Sequence, residues 1–520
     1  MSSSSKLIKD RKLAVTSALL FLFYTLIHLI FLWGPTFDTD EEDITVGGKA
    51  IARGFVLYKE YTSQHMPFSY YVSAVFEFFG AHSIYAQRFM FYLLFALMWV
   101  IIYRIYRKDF NPKALAFYPV LFTLVTCSYE YGTCILSEHL AGIGFVILFL
   151  EYLRFKSFRD LTWQQCVLIS VALLFTFGTI FVAAFGVAVI FVAVLVKEIT
   201  DIVRSKSSHA DLHMNKRILN MAKLIGIVLA PWAVYCIYLL ASGTFDVFIY
   251  SAYTINRTIY PKYLGGFGDG PLWSIASAIS VGFAALTDLS VMENAIIIVG
   301  FIGFLAVLYR KGRLVESVFS LALVIMCGSR GFFTFHGSHC IELMCLMGSM
   351  FFFECCFDYL KDTSKAKMLP LIVTGLCCLV ILGPFADCLM YLTRVEVPIE
   401  KPIVGLLKEI TDEDEGIWIC TTDNDLFQQA DRAPIYGISL SPWWYEAHEE
   451  RVFNEIGEEP PRICILDVGY DVWGAYKVDE YGANMINYVR EHYTMLSCRE
   501  AGTRVYVRND MIDTIPEQYR

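Results

Sequence analysis

Acidic side chains that could act in proton transfer are concentrated in one short segment, FDTDEED at residues 37–43. This segment follows an apolar run, residues 13–34, that is long enough to cross a bilayer. Ionised groups so close to hydrocarbon are costly and are often functional. A carboxylate just above the bilayer could take the proton from an acceptor hydroxyl group, whereas a solvated acidic loop would carry the same residues without chemistry. These two interpretations are distinguished by whether the rest of the chain holds this segment at a membrane surface.

The composition is that of a membrane protein. Of the 520 residues, 56% are hydrophobic and only 18% are charged, whereas soluble domains contain roughly 25% charged residues. The formal net charge of −9 is unevenly placed, because acidic residues outnumber basic ones mainly after Tyr391. No dense basic patch predicts a nucleic-acid partner. Most of the 15 cysteines lie in apolar runs, so neither a disulfide framework nor a cysteine metal site is predicted.

Eleven apolar segments are predicted to span the membrane. They are residues 13–34, 84–103, 113–128, 137–154, 162–177, 179–197, 218–241, 292–309, 315–330, 339–359 and 368–390.

The basic clusters between these segments all fall on one side of the membrane. They are residues 104–108, 154–159, 204–223, 310–313 and 361–367. Because Lys and Arg are enriched in cytoplasmic loops, this pattern predicts a cytoplasmic N-terminus and an outer location for FDTDEED. It also requires residues 270–290 to lie along the outer surface as an interfacial helix instead of crossing.

The chain is expected to divide into a membrane domain, residues 1–390, and a small extracytoplasmic α/β domain, residues 391–520. The first outer loop, residues 35–83, would contain two surface helices at 44–55 and 67–79. In the tail, the predicted strands are residues 417–422, 462–467 and 504–509, and the predicted helices are residues 401–410 and 483–493. The fold class is therefore an all-α polytopic membrane protein with an added α/β domain.

Residues 40–75 resemble the first extracytoplasmic loop of the GT-C membrane glycosyltransferases, which include protein O-mannosyltransferases and aminoarabinose–lipid A transferases. Their pattern is Asp-Glu, a helix ending in Gly, Leu/Pro-Tyr, an acidic residue, and His/Lys-x-Pro before an aromatic-rich helix. The matching residues here are Asp40-Glu41, Gly48, Gly54, Leu57-Tyr58, Glu60, His65, Pro67 and Tyr70-Tyr71.

The resemblance implies that residues 1–390 form a GT-C catalytic domain. The activity would be transfer of a sugar from a polyprenyl-phosphate carrier, with inversion, to an extracytoplasmic glycan, lipid or protein. Its location would be the cytoplasmic membrane, with bacterial members as the expected relatives. No cofactor is definitely implied: some members use a divalent cation at the acidic cluster, and the sequence leaves this open. Neither the sugar nor the acceptor is specified.

Asp40 is the expected general base, because GT-C members carry the acid of their Asp-Glu pair eight residues before a glycine such as Gly48. Glu41 is the second expected catalytic residue; it would orient Asp40, bind a metal or contact the start of the helix. Asp38 and Asp43 lie outside the matched pair and are expected to be dispensable.

Three further groups of residues follow from the resemblance. Glu138 matches a second acid of the family, although it could instead cap a helix N-terminus. Arg88 matches an arginine expected to meet the donor phosphate, or is an interfacial anchor. The other residues expected near that phosphate are His65 in the first loop and Arg330, His336 and His339 in SRGFFTFHGSHC, which also suits a loop lying on lipid headgroups.

Two other functions remain open. A lipid-glycan polymerase or ligase would share outer-face chemistry but usually has a large basic outer loop, and residues 242–270 hold only Arg257 and Lys262. A non-catalytic transporter should show internal repeats and charges at mid-span depth, and neither is evident. No nucleotide-binding motif is evident either, which favours a lipid-linked donor.

Overall fold

A computed structural model describes most of the chain. The described residues are 39–126, 134–207, 213–264, 292–328, 337–353 and, apart from 414, 421–424, 436–440, 459, 470, 473 and 501–502, residues 401–520; single positions or short stretches are also described within 15–32, 276–284 and 386–390. The predicted interfacial helix at 270–290, the predicted last span at 368–390 and the candidates Arg330 and His336 lie outside the described residues.

The structure is mostly helical. Its first thirteen numbered helices are α1 Thr39–Ala52, α2 Phe68–Phe78, α3 Ile84–Tyr106, α4 Pro112–Thr126, α5 Ser137–Arg154, α6 Trp163–Thr176, α7 Ala183–Ser207, α8 Met214–Ala241, α9 Phe245–Ile249, α10 Tyr260–Leu264, α11 Met292–Arg310, α12 Leu314–Gly328 and α13 Ile341–Phe351, with a π-helical segment at Tyr250–Ile259. Helices occur at each predicted span that falls within the described residues.

Helices α3, α7 and α8 are long and apolar enough to cross a bilayer, and the described residues contain no others of that length and composition. Helix α8 exposes large apolar side chains such as Leu219, Val234 and Ile237 along most of its length. Such a surface is unfavourable in water and suits contact with lipid. The chain is therefore a membrane protein, while the full number of eleven spans stays a prediction.

Helix α5 forms the centre of the bundle. Almost every side chain from Ser137 to Tyr152 is buried, because α6, α7 and α13 surround the helix. Close packing is possible at Gly144, where a Cβ atom would lie 2.6 Å from the carbonyl oxygen of Ala172 in α6. Glu138, in the first turn of α5, is consequently held at the end of a rigid central helix.

Helices α1 and α2 form a tightly packed pair in the first loop. A Cβ atom at Gly48 of α1 would lie 2.9 Å from the backbone nitrogen of Ala74, so only glycine permits this approach. Helix α1 ends before Gly54, whose φ of +96° suits glycine. The helix begins five residues before the predicted start at Ile44, because Asp40, Glu41 and Glu42 occupy its first turn, where carboxylates are favourable.

The C-terminal part contains a five-stranded mixed sheet in the order β2-β1-β3-β7-β6. Its strands are β1 Gly416–Cys420, β2 Ala433–Pro434, β3 Ile463–Asp467, β6 Tyr493–Glu500 and β7 Thr503–Arg508, and β4 Asp471–Val472 pairs separately with β5 Tyr476–Lys477. The helices are α14 Pro402–Ile410, α15 Asp425–Ala430, α16 Pro442–Glu458, α17 Val478–Tyr481 and α18 Ala483–His492. The three predicted strands and both predicted helices are confirmed, whereas β2, β4, β5 and β6 were not predicted.

This sheet region contacts the first loop directly. Asp431 forms an ion pair with Lys49 of α1 (2.5 Å) and accepts a hydrogen bond from Arg53, which directly follows α1 (2.9 Å). The Lys49 side chain is only 2% exposed, whereas that of Asp431 is 55% exposed. A second contact joins Lys262 of α10 to Glu446 of α16. The C-terminal part therefore helps to hold α1 in place.

Asp431→Asn should destabilise the protein, because it leaves the buried ammonium group of Lys49 without its anion. We expect a loss of about 1–3 kcal/mol, below the figure for a fully buried pair because Asp431 is half exposed. Thermal unfolding in detergent would measure it, with the exposed Glu480→Gln as control. Equal melting temperatures for the two variants would contradict this prediction.

Candidate active site

Glu41 and Arg88 form a buried ion pair that fixes the start of α1 against α3. The carboxylate accepts hydrogen bonds from Nε of Arg88 (2.8 Å) and from Nη2 (2.5 Å), and both side chains are at most 1% exposed. The same carboxylate accepts the backbone N–H of Ile135 at 3.0 Å. Glu41 therefore links the first loop to the segment that leads into α5.

Asp43 lies at the centre of a hydrogen-bond network, which the sequence did not predict. Its Oδ1 accepts the hydroxyl of Tyr61 at 2.7 Å, and its Oδ2 accepts the hydroxyls of Tyr70 and of Ser63, the latter at 3.2 Å. Nδ1 of His65 lies 3.3 Å from the same Oδ2. Asp43 is thus built into the loop, and the expectation that it is a dispensable charge does not fit this environment.

Asp43 and His65 are both charged in this arrangement. Burial alone would raise the pKa of Asp43, but the hydrogen bond and charge of His65 and the hydroxyls of Tyr70 and Tyr61 outweigh it and lower that pKa. Burial alone would lower the pKa of His65, but the hydrogen bond to Asp43 and nearby carboxylate charges raise it to about 9. An imidazolium therefore sits in the loop at neutral pH.

Glu138 and His339 meet at the N-terminal end of α5. Oε1 of Glu138 lies 3.6 Å from Nε2 of His339, close enough for an ion pair when the ring is protonated. Nδ1 of His339 is 3.2 Å from the carbonyl oxygen of Cys327 and can donate to it, which fixes the ring. His339 is only 2% exposed, so it faces the interior of the bundle.

The Asp43–His65 pair and the Glu138–His339 pair lie on neighbouring elements. The charges of Asp40, Asp43 and Glu138 all act on His65. The hydroxyl of Ser137, at the start of α5, donates to that of Ser69 in α2 at 3.0 Å. The candidate site is therefore formed by the first turns of α1, the loop before α2 and the first turn of α5.

The sequence candidates separate into three sets. Glu138 contacts His339 and the charges of Asp40 and Glu138 act on His65, while Glu41 and Arg88 pair with each other. Arg330 and His336 lie outside the described residues, so their roles stay predictions. Asp43 was missed, although its spacing of three residues from Asp40 places both on one helix face.

The divalent cation that some GT-C members use would need a set of ligands on the protein. Across residues 39–126, 134–207 and the other described ranges, no group of three or more His, Cys, Asp or Glu side chains is arranged to hold a metal ion. Metal dependence stays an open prediction.

The fold is similar to those of solved structures of two transferases, ArnT and AglB, which belong to the GT-C superfamily. The chain is similar to ArnT, an aminoarabinose transferase of Cupriavidus metallidurans, in its apo crystal structure: the TM-score is 0.57 at 11% identity, over 97% of this chain and 100% of that one. ArnT bound to undecaprenyl phosphate gives 0.58 at 10% identity, over 99% and 100%. The archaeal oligosaccharyltransferase AglB of Archaeoglobus fulgidus, with an inhibitory peptide and a dolichol-phosphate, gives 0.50 at 10% identity, over 98% and 75%.

By sequence, no protein-family model and no curated protein matches the chain. The solved structures share only about a tenth of their residues with this chain, so the similarity concerns the fold. It agrees with the GT-C resemblance of the first loop. Activity has to be argued from the site itself.

Proposed function

We propose that this protein transfers a sugar from a polyprenyl-phosphate carrier to a hydroxyl group of an acceptor outside the membrane. The observation that carries the proposal is that carboxylates near the starts of α1 and α5 pair with histidines, Asp43 with His65 at 3.3 Å and Glu138 with His339 at 3.6 Å, in an apolar helical bundle. Such a site offers carboxylates for the acceptor and a cation for a phosphate, at the depth where a lipid-borne donor would present its headgroup. The undecaprenyl phosphate bound to ArnT and the dolichol-phosphate bound to AglB support a donor of this class.

Asp40 is the general base in this proposal. It lies in the first turn of α1 and remains partly exposed, so an acceptor hydroxyl can approach it. Asp43 is a poorer base because its oxygens already accept several hydrogen bonds and its pKa is lowered. Glu138, paired with His339, would hold the acceptor or the sugar of the donor.

The reaction would be a single displacement. The acceptor oxygen attacks the anomeric carbon while its proton passes to the carboxylate of Asp40. The bond from the anomeric carbon to the phosphate oxygen breaks with its electron pair, so polyprenyl phosphate leaves as an anion and the configuration inverts. Charge grows on that phosphate, and a positioned cation such as the His65 imidazolium would stabilise it.

Arg88 takes a different role from the one expected of it. Its guanidinium is committed to Glu41 and almost wholly buried, which favours positioning of α1 over contact with the donor phosphate. His339 is closer to the site and would share phosphate or sugar binding with His65. This assignment keeps Glu41 as the residue that orients the turn containing Asp40.

The orientation proposed from the basic clusters has structural support. Asp431 in the C-terminal part contacts Lys49 and Arg53 of the first loop, so both must lie on one side of the membrane. The basic clusters are expected on the opposite, cytoplasmic side. The site and the α/β part would then face outward from the cytoplasmic membrane.

The donor class can be tested with purified protein. It should release sugar from polyprenyl-phosphate sugars and ignore the matching nucleotide sugars, because no nucleotide-binding motif is evident in its sequence. Thin-layer chromatography of a radiolabelled donor would measure turnover, with Asp40→Asn as the inactive control. Turnover of a nucleotide sugar alone in lipid-free detergent would overturn the proposal, and vesicle uptake without sugar release would indicate a transporter instead.

A further inference from the structure

Asp43 and Tyr70 both contact the imidazole ring of His65 along one edge, at Nδ1. Oδ2 of Asp43 lies 3.3 Å from Nδ1 of His65, and the hydroxyl of Tyr70 lies 3.2 Å from the same nitrogen. The loop itself is fixed, because the hydroxyl of Tyr58 donates to the carbonyl oxygen of His65 at 2.8 Å and the backbone N–H of His65 donates to Ser63. The ring is consequently fixed in orientation as well as in position.

The opposite edge of the ring is open. The two nitrogens of imidazole lie on different edges, so Nε2 faces away when Nδ1 faces Asp43. The side chain of His65 is 30% exposed, and within the described part of the chain every hydrogen bond of its ring is made by Nδ1. An N–H group at Nε2 is therefore available to a ligand.

We propose that Asp43 is a positioning residue, which keeps His65 as an imidazolium with its Nε2–H directed to the phosphate of the donor. This inference rests on the proposed function. It adds Asp43 as the residue that keeps His65 charged and orients its ring toward the phosphate. Tyr61, Tyr70 and Ser63 serve it by holding the carboxylate, so that it cannot turn toward the acceptor.

The electrostatic surroundings support this role. The titratable groups that face His65 are Asp40 and Asp43 of α1, Tyr70 of α2 and Glu138 of α5. The three carboxylates favour the charged ring and together outweigh its burial, which raises the pKa of His65 to about 9. Because the pKa is raised, the charge is present below about pH 9 and is lost as the pH rises through that value.

Binding of undecaprenyl phosphate to the full-length protein in detergent tests the proposal without turnover. Between pH 7 and pH 10 the phosphate itself changes little, since its second pKa is about 6. Wild-type affinity should stay constant to about pH 8.5 and fall above pH 9, following the His65 charge. Asp43→Asn returns His65 toward the ordinary pKa of about 6.5, so its affinity at pH 8 should be roughly tenfold weaker and nearly independent of pH.

Two further variants separate charge from structure. Asp43→Asn combined with His65→Lys carries a permanent cation, so it should regain most of the affinity at pH 8. His65→Gln leaves Asp43 in place and should bind as weakly as Asp43→Asn. Wild-type affinity with an unchanged pH profile in Asp43→Asn would overturn the inference, as would failure of the lysine to restore binding.

A measurement on the wild-type protein covers the case in which Asp43→Asn does not fold. Diethyl pyrocarbonate reacts with an imidazole only in its neutral form, so modification at His65 itself, located by mass spectrometry, should rise with a midpoint near pH 9. A midpoint near the ordinary value of about 6.5 would also overturn the inference. Neither measurement needs sugar transfer: absence of turnover with every polyprenyl-phosphate sugar would reject the proposed function alone.

Discussion

Asp40→Asn should insert and fold like the wild type and lose turnover by a factor of roughly 10²–10⁴, the usual contribution of a positioned general base. Asparagine keeps the size and hydrogen-bonding capacity of the side chain but cannot accept the acceptor's proton. The loss should fall on kcat and on kcat/KM alike, because the interaction is made only in the transition state. A radiochemical assay with saturating polyprenyl-phosphate sugar would measure both constants.

Neighbouring acids provide the controls for this experiment. Asp38→Asn removes a charge two residues away and should leave turnover near the wild-type value. Asp43→Asn should instead weaken donor binding and change its pH profile, while Asp40→Asn should affect turnover far more than the binding of undecaprenyl phosphate. Full turnover in Asp40→Asn would show that another group accepts the proton.

The sequence proposes candidates for the site more readily than the contacts between them. Asp40, His65, Glu138 and His339 were proposed from the order and spacing of the GT-C pattern, which local sequence is enough to show. The partners of Glu41 could not be found this way. Arg88 is 47 residues further along the chain, and nothing local indicates which of several nearby acids turns toward it.

Asp43 was missed for a related reason. Its importance comes from Tyr61, Ser63, His65 and Tyr70, which reach it only because α1 packs closely on α2. The error in the predicted start of α1 added to this, since it placed Asp43 at a helix end instead of one turn inside the helix. A correct start would have shown Asp40 and Asp43 on the same face.

The fold of the C-terminal part was predictable where the apolar pattern was regular. Strands β1, β3 and β7 have buried, β-branched residues and were found. Strand β6 was missed because its register shifts between Met495 and Arg499. Tyr493 and Leu496, three residues apart, are both buried but in different core clusters, so the strand lacks the apolar–polar alternation that identifies a half-buried strand.

The largest effect on stability is expected at the ion pair between Glu41 and Arg88. Glu41→Leu leaves a buried guanidinium without its anion, and Arg88→Met leaves a buried carboxylate without its cation. Removing one partner of such a pair typically costs about 3–5 kcal/mol, so each variant should melt well below the wild type in detergent. Asp40 should also be displaced, since the pair fixes the turn that carries it.

The double variant Glu41→Leu/Arg88→Met tests whether the two residues act as one buried ion pair or make two independent contacts. Replacing both charges by apolar groups removes the desolvation cost along with the attraction, and is often close to neutral. The double variant should therefore be more stable than either single variant, which gives a large coupling energy in the double-mutant cycle. Melting temperatures that fall additively would show that the two residues act separately. If the pair serves mainly to place Asp40, the double variant should fold well and still turn over slowly, because stability is restored while the anchor of the catalytic turn is not.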